Sequence, residues 1–225
     1  MWVMTGWLRN PLLMGLTFAA GSVDAISYLA LGRVFTANMT GNIVLLGLAV
    51  AQSLGPQTQR SVVALAAFAG GVAIAANVGR PRGHEEVWPA RVTLALALEA
   101  VLLTGFAIAW WAFDRRPVAE SVLVLVALAG LAMGMQSATA RQLSVKGVTT
   151  TFVTGTLTTL VSDIVTLAGP PGGWSMNAGV LVALLLGAVI GGIAEVHAPS
   201  VAAIIPAAVV AVVVLAAVLG FRKKS

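Results

Sequence analysis

The chain has 225 residues, 59% of them apolar and only 9% charged, whereas a soluble domain of this size carries roughly a quarter charged residues. That excludes a water-soluble globular fold: uncharged runs at 61–79, 121–140, 175–194 and 198–221 match the roughly twenty residues needed to cross a bilayer. The net charge of +5 is scattered through short connections and the tail, a pattern that orients helices and predicts no nucleic-acid partner. The sequence has no cysteine, which excludes disulfides and thiolate chemistry. His84 and His197 stand far apart, so no metal or other cofactor is expected.

In chain order, the opening MWVMTGWLRNP lacks a basic region ahead of a short apolar core, so no removable signal peptide is expected. The first predicted helix covers 12–31. On it Thr17, Gly21, Asp24 and Tyr28 recur at +4, +7 and +11 and share one face. An ionisable side chain at that depth costs about 2.5–3.5 kcal/mol and is by default a functional candidate. Val34, Phe35 and Thr36 then form a poor helix start and a good extended stretch. A Thr-Gly pair opens the next apolar run, 37–53, with Asn38 or Thr40 able to cap it. Backbone left unpaired there must be satisfied by protein or by a water-filled cavity, so this segment is expected inside the bundle. Runs at 61–79 and 92–113 follow. Glu99 lies inside the latter with no basic residue nearby, either as a proton-carrying carboxyl or as a packing residue. Four more segments complete the chain at 118–140, 151–168, 176–195 and 199–221.

These eight segments read as two homologous halves, 11–113 and 118–221. LALGRVFTANMTGNIVLLGLA (29–49) aligns on LSVKGVTTTFVTGTLTTLVSD (143–163), superposing Thr40-Gly41-Asn42 on Thr154-Gly155-Thr156. A one-residue gap upstream places Gly21 on Gly134. If all eight segments cross the membrane, the thirteen Lys and Arg divide six against seven. If the second segment of each half dips in and returns, Arg9, Arg80, Arg82, Arg91, Arg141, Lys146, Arg222, Lys223 and Lys224 share one side. Arg33, Arg60, Arg115 and Arg116 take the other, a nine-to-four bias that favours six spans with both termini cytoplasmic. The expected fold is therefore an all-α polytopic membrane protein of two inverted repeats, each with three spanning helices and one re-entrant broken helix. Such repeats place a site at their interface. Eight spans with parallel repeats is the alternative.

The stretch GSVDAISYLALGRVFTANMTGNIVLLGLA (21–49) resembles the signature of the YoaK-like family of small bacterial membrane proteins. MGMQSATARQL with TTTFVTGTL (133–157) resembles that family's second-half signature. The resemblance implies a multi-spanning protein of the bacterial inner membrane. It brings a domain of unknown function and no catalytic or binding residues.

The site residues follow from the duplication. The face matching Thr17, Gly21, Asp24 and Tyr28 is Gly130, Gly134, Ser137 and Arg141, so Asp24 and Arg141 can pair across the pseudo-symmetry axis. In the alternative, Asp24 only ties down the nearby backbone break. Two helix starts meeting near the midplane would present unpaired amides and partial positive charge, suiting an anion or a polar neutral solute. Thr36, Asn38, Thr40, Asn42, Thr154 and Thr156 would line it, with Tyr28 and Gln136 beside them; Asp24 and Glu99 are the candidates for proton coupling. Gly130 with Gly134, and Gly187 with Gly191, suit close helix packing, with homo-oligomerisation a secondary use. Trp88, Trp110, Trp111 and Trp174 lie near segment ends and read as interfacial anchors. The leading function is a transporter or channel for a small polar solute, in contact with membrane lipid. The alternative is a non-transporting lipid-interacting or assembly factor. No nucleophile, base or closely spaced carboxylate pair suggests an enzyme.

Overall fold

The computed structural model describes residues 2–78, 88–113, 119–143, 153–166 and 173–221, and every regular element among them is a helix. In order these are α1 (Trp2–Ala30), α2 (Met39–Ala51), α3 (Gly55–Val78), α4 (Ala90–Ala112) and α5 (Ala119–Gln142). Then follow α6 (Val153–Thr166), α7 (Gly173–His197), α8 (Pro199–Ala202) and α9 (Ile204–Gly220). Six stretches are long and apolar enough to cross a membrane: Leu8–Ala30, Gly55–Val78, Ala90–Ala112, Glu120–Gln142, Ser175–His197 and Pro199–Gly220. With 13 and 14 residues, α2 and α6 rise only about 20 Å at 1.5 Å per residue, against a hydrocarbon core of ~30 Å. The protein is a polytopic all-α membrane protein, and these lengths count against eight spans.

The path of the chain around α2 points the same way. Gln57, in the first turn of α3, donates from Nε2 to the Arg33 carbonyl just beyond α1, at 2.9 Å. The Arg60 guanidinium lies against Gly32. The end of α1 and the start of α3 are therefore neighbours, and everything between them leaves and returns to one level. The reversal uses positive φ at Gly32 (86°) and Arg33 (60°). Glycine accepts that conformation freely, whereas Arg33 is strained there and is held by the bond to Gln57.

Two helices form the inside of the bundle. In α1 and α5, 61% of the spanning window is buried, against 22% in α3 and 17% in α7. Each inner helix pairs with an outer one through glycine. A Cβ at Gly187 or Gly191 of α7 would collide with the α1 backbone at Phe18 or Ser22. One at Gly134 of α5 would collide with Phe68 of α3, and one at Gly71 of α3 with Leu131 of α5. Small residues let these backbones approach as membrane helices require. In both pairs the contact numbers rise together along the chain, so α1 runs parallel to α7 and α3 parallel to α5. Across the bundle, Gln136 Nε2 of α5 donates to the Leu16 carbonyl of α1 at 2.9 Å.

α4 and α9 close the bundle as an antiparallel pair. Trp88 stacks on Phe221 at one end, with ring centroids 5.0 Å apart. At the other end Trp110 Nε1 donates to the Pro199 carbonyl at 2.8 Å. Pro199 opens α8, the short turn before α9, and its peptide oxygen lies where no regular helix continues from α7. This corrects the expectation of a tryptophan belt. Trp88 and Trp110 are buried in the core, whereas Trp111 is exposed, with its Nε1 on the Ser200 carbonyl. Carbonyls freed at the α7–α9 break need donors more than the headgroups need rings. The Trp174 side chain, and the residues leading into α6, fall outside the described residues.

Candidate functional site

The break between α1 and α2 is built around Asp24. Its Oδ1 accepts from the amides of Thr36 and Ala37, both at 2.7 Å, and its Oδ2 accepts from Asn38 at 3.0 Å. Each hydrogen bond to a charged group is worth about 1.5–3 kcal/mol. Three of them offset the ~3 kcal/mol needed to place a carboxylate among membrane helices. The backbone in turn has three amides that would otherwise go unpaired in lipid. Of the two readings open from sequence, the geometry gives Asp24 the task of holding the break.

The remaining polar residues of the motif complete that task. Asn42 Oδ1 accepts from Phe35 N at 2.9 Å while its Nδ2 donates back to the Phe35 carbonyl, so one side-chain amide replaces a strand partner. Asn38 Oδ1 caps α2 on Gly41 N at 3.1 Å. Gly41 is required because a Cβ there would stand 2.9 Å from the Phe35 ring. Tyr28 stacks on that ring, centroids 5.1 Å apart. Thr36 is buried, its hydroxyl 3.3 Å from that of Ser27. Thus Tyr28, Thr36 and Asn42 shape the break, and none of them bounds the cavity beside it.

Open space lies beside it. A cavity of about 520 Å³ is bounded by residues 37–40 at the start of α2, by Phe68, Val72 and Ala76 of α3, and by Ser137, Ala138, Arg141 and Gln142 of α5. Of the residues singled out in the sequence, it gathers Asn38, Thr40 and Arg141. Ser137 was visible only as the match of Asp24. Phe68, Val72 and Ala76 recur every fourth residue on one face of α3, a signal indistinguishable from ordinary packing.

Other candidates lie elsewhere. Gln136 is buried between α5 and α1, with its Oε1 unmet. Thr154 is exposed and Thr156 buried at the start of α6. That helix packs on α7, whereas α2 packs on α3, and none of the described α6 residues bounds the cavity. Glu99 is fully buried on the inward stripe of α4 with Leu96, Leu103 and Phe106, both carboxyl oxygens without a partner among the described residues.

Comparison with known proteins places this architecture. Residues 12–217 match the family described as protein of unknown function, DUF1275. The UPF0700 transmembrane protein YoaK of Bacillus subtilis (strain 168) is 47% identical over 157 residues, covering 69% of this chain and 67% of that protein. No solved structure matches.

Proposed function

Since the chain belongs to the DUF1275 family, whose description carries no activity, we propose from the site itself that it moves a small polar solute, anionic or neutral, through the cavity beside the α2 break. The observation that carries this reading is the cavity's make-up. In a chain with 9% charged residues, a guanidinium, a hydroxyl pair and a capped helix start converge on one space: Arg141, Ser137 with Thr40, and Asn38. The α2 start adds partial positive charge, and Asp24 is committed to the backbone. The set therefore favours an anion or a neutral hydrogen-bonding solute over a cation.

Two halves related as inverted repeats are part of this proposal. The pairings support it: α1 with α7 and α3 with α5 are exchanged by the matching of halves, as are α2 on α3 and α6 on α7. With six spans in a bacterial inner membrane and both termini cytoplasmic, the cavity runs from the re-entrant turn towards the ends of α3 and α5. Those are the ends bearing Ala76 and Gln142, so it opens inward. Sites between repeats built on discontinuous helices are a recurrent transporter design.

Uptake into proteoliposomes tests this with a panel of small carboxylates, inorganic anions and neutral polyols, comparing the natural protein with Arg141→Gln. Anion uptake by the former and at least tenfold less by the latter is expected. No uptake of any solute by a correctly inserted protein would instead favour a non-transporting role, in which the break serves packing alone.

A further inference from the structure

The cavity beside the α2 break has two unlike walls. α3 and α5 run parallel and meet tightly where Gly134 abuts the Phe68 backbone and Gly71 that of Leu131. Beyond that crossing α5 has no glycine: Ser137 and Arg141 stand three and seven residues past Gly134, and both bound the cavity. On α3, Val72 and Ala76 stand four and eight residues past Phe68, and all three bound the same space. The crossing therefore lies at one end of the cavity. Everything α3 gives it is apolar, whereas its hydroxyls and its guanidinium come from α5 and from Thr40 at the start of α2. Among the described residues that bound it, Arg141 alone is charged.

This division limits the ligand. The volume, about 520 Å³, lies among pockets that take organic molecules, roughly 300–1,000 Å³, and far exceeds an inorganic anion. A polyol or a phosphate laid against Phe68 and Val72 would turn oxygens to a wall without donor or acceptor side chains, and a buried polar group without a partner is costly. A hydrocarbon there gains about fourfold in affinity for each methylene removed from water. A second carboxylate would meet no second cation. At 1.5 Å per residue Arg141 lies about 10 Å along α5 from the crossing, which leaves room for a short alkyl chain or one ring. We propose that the cavity binds a monocarboxylate with an apolar tail. Its carboxylate accepts from Arg141, a bidentate donor, and from the hydroxyls of Ser137 and Thr40, and its tail lies along Phe68 and Val72. This rests on the cavity of the transport reading and narrows its solutes to short-chain or aromatic monocarboxylates.

The test is equilibrium binding of radiolabelled hexanoate to the detergent-purified full chain, with empty micelles subtracted, competed by acetate, butyrate, hexanol or inorganic phosphate. Saturable binding is expected, with affinity rising at least about tenfold from acetate to hexanoate, and with hexanol and phosphate weaker than hexanoate by a similar factor. R141Q should weaken hexanoate about tenfold. Val72→Phe, which shortens the apolar slot, should bring hexanoate to within about threefold of acetate, and it carries the test if R141Q does not fold. Phosphate or hexanol competing as well as hexanoate would overturn the assignment. So would a flat series from acetate to hexanoate, undiminished binding in the variants, or no saturable binding at all. Because transport is not read, the two readings fail separately. Hexanoate binding by a chain that moves no solute would sink transport alone, and uptake of phosphate or polyols without hexanoate binding would sink this assignment alone.

Discussion

The last turns of α1 and α5 carry the same register of small residues and opposite polar equipment. Gly21 and Gly134 each press against an outer helix. Three residues on, α1 has Asp24 and α5 has Ser137; four further on, α1 has Tyr28 and α5 has Arg141. On α1 the carboxylate is consumed by three backbone amides and the ring by Phe35. On α5 the hydroxyl and the guanidinium border the cavity. The lesson is a division of labour. On α1 the polar side chains hold the backbone break, whereas on α5 the corresponding positions border the cavity.

The largest expected effect breaks the scaffold side. Asp24→Ala removes the acceptor of three backbone amides at the break and should lower stability by several kcal/mol, at about 1.5–3 kcal/mol per charged hydrogen bond. Loss of the folded, monodisperse species on size-exclusion chromatography would register it. Asp24→Asn should fall between, since its single carbonyl oxygen replaces only the two bonds now made by Oδ1. Equal melting temperatures for Asp24→Ala and the natural chain would refute the scaffold role.

Next in size is the packing that both inner helices share. Gly134→Val and Gly187→Val each force a side chain into a facing backbone, and overpacking costs typically 1–3 kcal/mol. If the two halves are equivalent, the two melting-temperature losses should be similar. A large loss at one and none at the other would break the comparison. On the α5 side, Arg141→Gln, at an exposed position, should cost less stability than either glycine change while lowering anion uptake at least tenfold. The smallest expected change is at Glu99. Glu99→Leu removes an unmet buried polar group, and such replacements are neutral or stabilising. Unchanged or higher melting temperature with unchanged uptake marks a packing residue, and lost uptake would assign it to proton coupling.

Much of this was legible in the residues. Apolar runs gave the spans, and the Val-Phe-Thr stretch before Thr-Gly gave the break, because β-branched and aromatic residues start helices poorly. Asn38 was among the expected caps. The direction of the Asp24 carboxylate was not legible: helical spacing gives its face, but only the fold-back of residues 31–38 brings amides to it. Asn42 looked like a solute ligand because a lone polar side chain in an apolar run carries no mark of a backbone partner seven residues away. The buried Trp88 and Trp110 were hidden for a related reason: tryptophan near a segment end suits the interface, and the demand for donors at Pro199 exists only in three dimensions.

The absence of native cysteine makes one measurement especially direct. A single cysteine at Thr40, on the cavity, and another at Leu48, on the exposed apolar face of α2, are reacted in membranes with a small charged thiol reagent. Thr40→Cys should label quickly and be protected by a transported anion, while Leu48→Cys, facing lipid, stays unlabelled. Equal rates at the two positions, or an inert Thr40→Cys in a folded protein, would contradict a wet cavity at the start of α2.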